Sequence, residues 1–338
     1  MNMNINMKLS DIFSSSMVLA ANKPIRIFGE GEGEAVVTFN GISKTIVSRS
    51  EHWRVDFPPM EYGGPYELTF KTAEDTVILK DIYIGEVYLF AGQSNMEFHL
   101  DESNTPVEAR ENNDLLHYAY IPLAPQPFSW QVAKSDKVGA WSALGYLVGR
   151  ELVGSGVHVG IVLCAKGATV IESWMPDGSL DAIGIKLTNE EKYPDHYSEK
   201  FGAYNHDGDM YRTKLIRTIP TAFSGVVWYQ GESDASEAEG LVYEQELCRM
   251  IEVWRKLFED EELPFIVIQI ADCLSRIALG PGWELIQAAQ ERISTHYPNT
   301  YTVICRDICE NFEIHPQTKD KLALRIAECI RANFGNHT

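Results

Sequence analysis

The pattern of hydrophobic and polar positions changes near residue 85. Before that point, short segments alternate apolar and polar residues, and turn signals separate them. Alternation with a period of two predicts half-buried strands, and Asn40-Gly41 is a strong signal for a two-residue hairpin. We therefore predict a small, jelly-roll-like β-sandwich domain over residues 1–85. Its expected strands are 25–28, 35–39, 45–48, 53–57, 66–70 and 76–79.

After residue 85, apolar strand-like runs alternate with amphipathic segments of helical length. This order is typical of a parallel sheet flanked by helices, so we predict an α/β, doubly wound domain over residues 86–338. The expected strands are 87–91, 157–164, 225–229, 265–271 and 301–306. The expected helices are 140–154, 210–218, 237–258, 284–297 and 319–333.

Polar motifs follow the predicted strands of the second domain. In doubly wound sheets the ligand site lies beyond the carboxyl ends of the strands, where the connecting loops converge. We therefore expect one site built from these loops, which carry the segments 92–96, 166–169 and 230–234, then Asp307 and 313–316.

Ser94 stands directly after a strand and a glycine, so a loop tip can hold both its hydroxyl and its backbone N–H. Acyl transfer needs such a hydroxyl beside a base, with donors aimed at the developing oxyanion. A serine in a loop is nevertheless most often structural, so position alone does not assign this chemistry.

Charge and composition narrow the partners. The chain has 29 lysines and arginines against 48 aspartates and glutamates, a formal charge of −19. This balance disfavours nucleic acid and anionic membranes, although a locally positive pocket would still accept a negatively charged sugar. No run of about 18 apolar residues predicts a membrane span.

The cysteines and the N-terminus bear on location. None of the six cysteines forms a CxxC pair, so we expect buried thiols rather than a structural zinc site. Residues 1–21 lack the apolar run of a secretory signal. Both features predict the cytoplasm, and export is the alternative if the start is truncated.

Several motifs, in order along nearly the whole chain, resemble the sialate O-acetylesterase group of the SGNH hydrolases. The first is Ala91-Gly92-Gln93-Ser94-Asn95-Met96. The resemblance implies an SGNH-hydrolase (flavodoxin-like) fold and a serine acetylesterase. The other matching segments are 13–19, Gly63-Gly64-Pro65-Tyr66, Ile84-Gly85-Glu86-Val87, Trp228-Tyr229-Gln230-Gly231-Glu232-Ser233, Leu263-Pro264-Phe265 and Ile314-His315-Pro316.

The resemblance implies three oxyanion donors: the N–H groups of Ser94 and Gly167 and the side-chain amide of Gln230. The superfamily usually has asparagine at the last position, whereas this branch has glutamine. Its second block normally carries paired glycines, but here Ala168 follows Gly167.

By the same resemblance His315 is the general base, whose ordinary pKa near 6.5 leaves it largely neutral at pH 7. The superfamily places aspartate three residues before the histidine, where this chain has Phe312. Glu313 is our first candidate for the acid that orients the imidazole. Asp307, Glu232 and a backbone carbonyl are the alternatives.

Four further residues are candidate supporting or substrate-binding groups: Gln93, Asn95, Glu232 and Trp174. Glu232 is either a helix-start carboxylate or a brace for the Ser94 or Gln230 loop. Trp174 directly follows the second block and is the aromatic best placed to stack on a sugar, although such aromatics more often belong to the core. We expect no metal or other cofactor, and activity that survives chelators.

The sequence thus predicts a carbohydrate O-acetylesterase that works through an acetyl-Ser94 intermediate. O-acetylated sialic acid is the first expected substrate, and acetylated xylan or a related plant glycan is the second. A carbohydrate-binding protein that keeps the fold without turnover is the alternative from a different class. The oligomeric state stays open.

Overall fold

The structure is a computed structural model, and it describes residues 6–154, 156–187, 191, 205–274 and 281–334. The first part of this chain is β-rich. Its strands are β1 (Lys8–Leu9), β2 (Val18–Ala20), β3 (Ile25–Glu30), β4 (Gly33–Phe39), β5 (Ile42–Ser48), β6 (His52–Phe57), β7 (Gly63–Thr72) and β8 (Thr76–Gly92).

These strands form two groups. Strands β1, β3 and β6 make an antiparallel sheet, while β5, β4, β7 and β8 pair antiparallel in that order and β2 lies parallel to β8. Aromatic side chains join the two groups, because Trp53 stacks on Phe70 at 5.2 Å and Phe57 meets Phe39 at 6.0 Å. All six strands predicted in this region fall on observed strands.

The Asn40-Gly41 turn forms as predicted. Both residues adopt a positive φ, 46° and 74°, which is the backbone of a type I′ turn. The turn sets the pairing of β4 with β5, whose closing pair is Phe39 and Ile42.

The strand β8 passes through the predicted boundary at residues 85 and 86. Its first half pairs with β7, and its second half pairs with two strands of the central sheet, β11 (Val159–Ala165) and β12 (Gly225–Tyr229). One uninterrupted strand therefore belongs to both sheets.

The central sheet has the order β10-β9-β11-β8-β12-β13-β14. Its other members are β9 (Asn113–Tyr120), β10 (Gln131–Ala133), β13 (Phe265–Ile268) and β14 (Thr300–Val303). Every adjacent pair is parallel except β9 with β10. The sheet is thus mixed, whereas we predicted it to be parallel.

The five buried strands of this sheet were predicted from the sequence, but β9 and β10 were not. The strand β9 begins with polar residues and carries His117 in its middle, and β10 has three residues. Neither segment forms the continuous apolar run that marks a strand buried on both faces.

Four of the five predicted helices are present, with ends shifted by at most three residues, whereas the fifth, 210–218, is a short α-helix over Asp209–Thr213 followed by a 3-10 turn over Leu215–Thr218. The α-helices of the described chain are α1 (Ser94–Glu97), α2 (Ala143–Leu152), α3 (Asp209–Thr213), α4 (Glu237–Leu257), α5 (Trp283–His296) and α6 (Asp320–Asn333). Helix α2 packs on α6, and α4 packs on α5. Ser142 and Ser236 cap α2 and α4 by accepting backbone N–H bonds.

Cys164, Cys273 and Cys305 are buried, whereas Cys248, Cys309 and Cys329 are partly exposed. Among the helices that the structure describes, none combines the length and the apolar character that a bilayer crossing requires.

Candidate active site

The site lies where β8, β11 and β12 end. Backbone hydrogen bonds join the three ends: Gln93 N–H donates to Tyr229 O at 3.0 Å, and Lys166 N–H donates to Gly92 O at 3.0 Å. Gly92 has a φ of 135°, and a Cβ there would lie 2.1 Å from Tyr229 O. Only glycine fits this close approach, which lets the chain turn at once into α1 and present Ser94.

The structure brings Ser94 and His315 together across 221 positions. The Nε2 atom of His315 lies 2.8 Å from Ser94 Oγ. Both residues come from loops that follow parallel strands, as the sheet topology requires.

Burial lowers the pKa of His315 below its ordinary value, and the positive charge of Lys319 lowers it further. Glu102 and Glu313 act in the opposite direction. The imidazole is therefore neutral at pH 7 and is able to accept the Ser94 proton.

A buried polar network holds the two loops against each other. Asn95 donates to Glu232 Oε1 at 2.6 Å and to Ile314 O at 2.9 Å, while its own oxygen accepts from Lys319 Nζ at 2.8 Å. Asn95 thus ties the nucleophile loop to the backbone immediately before His315. Burial raises the pKa of Glu232.

Gln93 connects the nucleophile loop to the third block. Its side-chain oxygen accepts from Gly231 N–H at 3.3 Å and from Ser233 N–H at 3.2 Å. Gln93 and Asn95 are 2% and 1% exposed, so both act within the protein and neither is placed to bind a substrate.

Among the residues that the structure describes, no carboxylate is hydrogen-bonded to His315. Glu313 is exposed and interacts with the ring only through its charge. Both oxygens of Asp307 accept from Arg325, at 2.7 and 3.0 Å, and Glu232 Oε1 accepts from Asn95, so both alternatives have partners other than His315. Glu102, which sequence analysis did not consider, has a larger electrostatic effect on His315 than Glu313.

The three expected oxyanion donors differ in their surroundings. The Ser94 N–H meets no acceptor among the described residues, as is usual for the first turn of a helix. The Gly167 N–H donates to Glu97 Oε2 at 2.7 Å. A Cβ on Gly167 would lie 3.4 Å from Ser94 Cβ, so this residue packs against Ser94.

The expectation that Gln230 donates to the oxyanion is wrong for this conformation. Its amide is fully buried and donates to Thr169 O at 2.9 Å and to the Asp234 carboxylate, while its oxygen accepts from Tyr243. Both amide hydrogens are used, so Gln230 instead supports the loop that carries Thr169.

Ala168 occupies the position of the second glycine with a φ of 63°. This left-handed conformation costs a non-glycine residue about 1–2 kcal/mol. Asn205 supports it by donating to Ala168 O at 2.7 Å and accepting from Val170 N–H at 3.2 Å. The loop therefore keeps the backbone that paired glycines would favour.

The expectation that Trp174 stacks on a sugar is also wrong. Trp174 is 0% exposed, its Nε1–H donates to Thr169 Oγ1 at 3.0 Å, and its ring packs edge-on against Trp228 at 5.8 Å. The core reading is confirmed for Trp174, and Trp130, Trp228 and Tyr229 are buried as well.

Three residues that hydrogen-bond to the site residues were not predicted from the sequence: Lys319, Asp234 and Glu97. Lys319 opens the last helix as an ordinary surface lysine would, and only its 0% exposure reveals its role. Glu97 directly follows the motif at residues 91–96, and this position is the one feature of the sequence that could have indicated its role.

A cluster of acidic residues lies behind the third block. Glu172, Asp234 and Glu239 are buried, and they offer ligand atoms within 4.8 Å of one another. Carboxylate oxygens suit hard cations, but both oxygens of Asp234 already accept hydrogen bonds, from Ile171 N–H and the Gln230 amide. The cluster is thus at least partly a hydrogen-bonding element of the loop.

Comparison with known proteins identifies the class. The chain is 26% identical to the sialate O-acetylesterase of Homo sapiens over 97% of this chain and 71% of the relative. It is 25% identical to the Mus musculus protein of that name over 90% and 69%. A solved carbohydrate acetylesterase from Xanthomonas citri superposes with a TM-score of 0.83 at 26% identity, covering 97% of this chain and 75% of that one.

The protein has an α/β fold with a mixed central sheet, and a serine–histidine pair lies at the ends of its strands. Together with these relatives, this arrangement identifies a carbohydrate O-acetylesterase. The model of the family described as "carbohydrate esterase, sialic acid-specific acetylesterase" matches residues 84–330, and the chain belongs to this family.

Proposed function

We propose that this esterase removes acetyl groups from O-acetylated sialic acid, with Ser94 as the nucleophile and His315 as the general base. The observation that carries the assignment of roles is the 2.8 Å contact between Ser94 Oγ and His315 Nε2. The printed names of the relatives and the family description support the choice of substrate.

The proposed reaction has two halves. His315 takes the Ser94 proton as Oγ attacks the acetyl carbonyl, and the Ser94 and Gly167 N–H groups stabilise the oxyanion. The imidazolium then protonates the leaving sugar oxygen, which produces acetyl-Ser94. Water, activated by the same imidazole, hydrolyses that ester and releases acetate.

In this scheme the acidic residues act on His315 through their charge. We propose that Glu102 and Glu313 jointly stabilise the imidazolium by charge rather than by holding its Nδ1–H. Orienting and stabilising the imidazolium is the acid's role in a triad. Both carboxylates are exposed, so we expect each single substitution to glutamine to lower kcat modestly, and the double substitution to lower it more.

We also propose the finer architecture. The catalytic part, residues 86–338, is a doubly wound SGNH-hydrolase domain, supported by the order β11-β8-β12-β13-β14 that matches flavodoxin-like sheets. Residues 1–85 form a β-sandwich domain, supported by the aromatic contacts between the two groups of strands.

Acetate release from a panel of acetylated sugars tests the function. O-acetylated sialic acid should be hydrolysed with a higher kcat/KM than acetylated xylan fragments. The opposite order would overturn the proposed substrate while leaving the esterase class intact.

Substitution of the two central residues tests their roles. Ser94→Ala and His315→Ala should each lower kcat by about 10³-fold or more, because each removes a partner of the same proton transfer. Ser294→Ala, on the exposed face of α5, and His52→Ala, on β6, are matched controls and should keep full activity. A folded Ser94→Ala enzyme that still releases acetate would refute the assignment.

A further inference from the structure

The Glu97 carboxylate lies next to the nucleophile. Ser94 and Glu97 are the first and last residues of α1, so they are three positions apart and share one face of this turn. The Oε2 atom of Glu97 accepts the Gly167 N–H at 2.7 Å, and Oε1 accepts the Tyr120 hydroxyl at 3.1 Å. Glu97 is half-buried, so water screens these bonds only in part.

The partner of this carboxylate is the Gly167 N–H, one of the two backbone donors that the proposed reaction assigns to the oxyanion. Gly167 is close enough to Ser94 for a Cβ on Gly167 to lie 3.4 Å from Ser94 Cβ. The proposed reaction assigns this N–H to the oxyanion that forms on the carbonyl oxygen, and in the free enzyme it points to Glu97 Oε2. A carboxylate oxygen and an oxyanion are both anionic acceptors, so they compete for one hydrogen.

We propose that Glu97 occupies the anion position of Gly167 in the free enzyme and that the acyl oxygen displaces it in each turnover. This inference rests on the proposed function for the direction of its effect on catalysis. Glu97 is then a positioning residue that fills the oxyanion site between reactions, and Tyr120 is the group that holds it there.

Occupation has a physical advantage and a cost. The Gly167 N–H is partly buried, and a donor that water reaches only in part is unfavourable without an acceptor, so Glu97 satisfies it while no substrate is bound. The same charge-assisted bond must be broken before the transition state forms, so it lowers kcat/KM. It also opposes the binding of acetate, the product, which offers the same carboxylate to the same donor.

A purely structural role predicts the opposite results. If Glu97 only braced the second block against Tyr120, its removal would loosen the Gly167 loop. Acetate would then bind more weakly, and kcat would fall. The two readings therefore differ in the sign of the change in acetate affinity.

The test is the affinity of acetate for the full-length enzyme, measured by titration calorimetry without any substrate turnover. Glu97→Ala should bind acetate about tenfold more tightly, the range expected when a charge-assisted hydrogen bond no longer competes. Glu97→Gln should show a smaller gain, because its amide oxygen still accepts from Gly167 without the charge. Tyr120→Phe should change affinity in the same direction while leaving Glu97 in place.

A matched control separates competition from general charge removal. Asp101 is a nearby carboxylate that pairs with Arg110 at 2.6 Å and has no contact with Gly167, so Asp101→Asn should leave acetate affinity unchanged. With sugar substrate, Glu97→Ala should raise kcat/KM several-fold, mainly through a lower KM, since the carbonyl oxygen no longer displaces a carboxylate.

The outcomes distinguish the two proposals. An active wild-type enzyme whose acetate affinity is unchanged or weakened by Glu97→Ala, and unchanged by Tyr120→Phe, overturns the inference alone. A wild-type enzyme that releases no acetate from any acetylated sugar overturns the proposed function, even if Glu97→Ala binds acetate more tightly.

Discussion

Lys319 acts together with burial on His315, the proposed general base, and both lower the pKa of its imidazole. Lys319 is fully buried, its Nζ bonds Asn95 Oδ1 at 2.8 Å, and it lies 4.8 Å from the Phe98 ring centroid. Burial lowers the pKa of Lys319 to about 8, so it is still mostly charged at pH 7. A positive charge beside His315 disfavours the imidazolium and keeps the base neutral.

The acidic limb of kcat/KM should therefore lie below pH 6.5, the ordinary histidine value, since kcat/KM reports the free enzyme. Lys319→Met removes the charge and should move this limb to higher pH, because the pKa of His315 then rises. The exposed Lys321→Met is the matched control and should not move it. An unchanged limb in a folded Lys319→Met enzyme would contradict this account.

At the residue scale, the residues named by the motifs could be predicted from the sequence. The roles that depend on which side chains are buried could not. Ser94 and His315 are adjacent in space because both follow strands of one parallel sheet, which the pattern predicted. The roles of Gln230 and Trp174 were wrong because both side chains are fully buried among partners that the motif does not name. No feature of the sequence indicated that Lys319 is buried, because a lysine at the start of a helix is normally solvated.

At the scale of elements, His117 on β9 joins the N-terminal segment to the central sheet. Its Nδ1 lies 2.7 Å from Ser16 O, its Nε2 lies 2.8 Å from His158 Nδ1, and Tyr83 stacks on His158 at 3.5 Å. Burial lowers the pKa of His117 to about 4, and His158 and Asp114 also act on it. This ring is neutral in the folded state.

Folding stability should fall as the pH drops from about 6.5 to 4, because the unfolded chain binds a proton at His117 that the folded chain excludes. The loss attributable to this residue is at most about 3.5 kcal/mol, since one pKa unit corresponds to about 1.4 kcal/mol. Burial lowers the pKa of His158 as well and contributes with the same sign.

Urea unfolding between pH 4 and 7 measures this effect. His117→Gln keeps hydrogen-bonding groups without titrating in that range, so its stability should depend less steeply on pH than the wild type. The exposed His52→Gln should follow the wild-type slope. Equal slopes for His117→Gln and the wild type would show that His117 titrates normally in the folded protein.

The elements themselves were largely predictable, and the exceptions have local causes. The five central strands carried continuous apolar runs, and four of the five predicted helices carried a helical apolar period over most of their lengths. The strand β9 was missed because His117 and the polar residues at its start interrupt its apolar run. Its antiparallel neighbour β10 is too short to show a period, which is why the sheet was predicted to be parallel.

For the whole molecule, contacts across residue 85 are extensive. Arg26 on β3 is buried and donates to Phe258 O at 2.8 Å and to Pro220 O at 3.1 Å, while Trp130 Nε1–H donates to Ile12 O at 2.8 Å. Lys23 pairs with Asp260. These bonds join the early strands to the helical part at several separate points.

Thermal unfolding should therefore be one cooperative transition. Near-ultraviolet circular dichroism and calorimetry should give coincident midpoints, and the calorimetric and van't Hoff enthalpies should agree. Arg26→Ala, which leaves the three carbonyls of Pro220, Phe258 and Glu259 without this donor, should lower the midpoint without splitting the transition. Two resolved transitions in the wild type would show that the parts unfold separately.

The strand β8 has a consequence for the history of the chain. Insertion, loss or exchange of modules proceeds most easily at exposed linkers, where few contacts cross. Here the only covalent passage from the front part to the nucleophile is a seventeen-residue strand that is hydrogen-bonded on both sides. A recombination that replaced the N-terminal part would have to keep the pairing of β8 with its neighbouring strands in the same register. We therefore expect the two parts to have been inherited together.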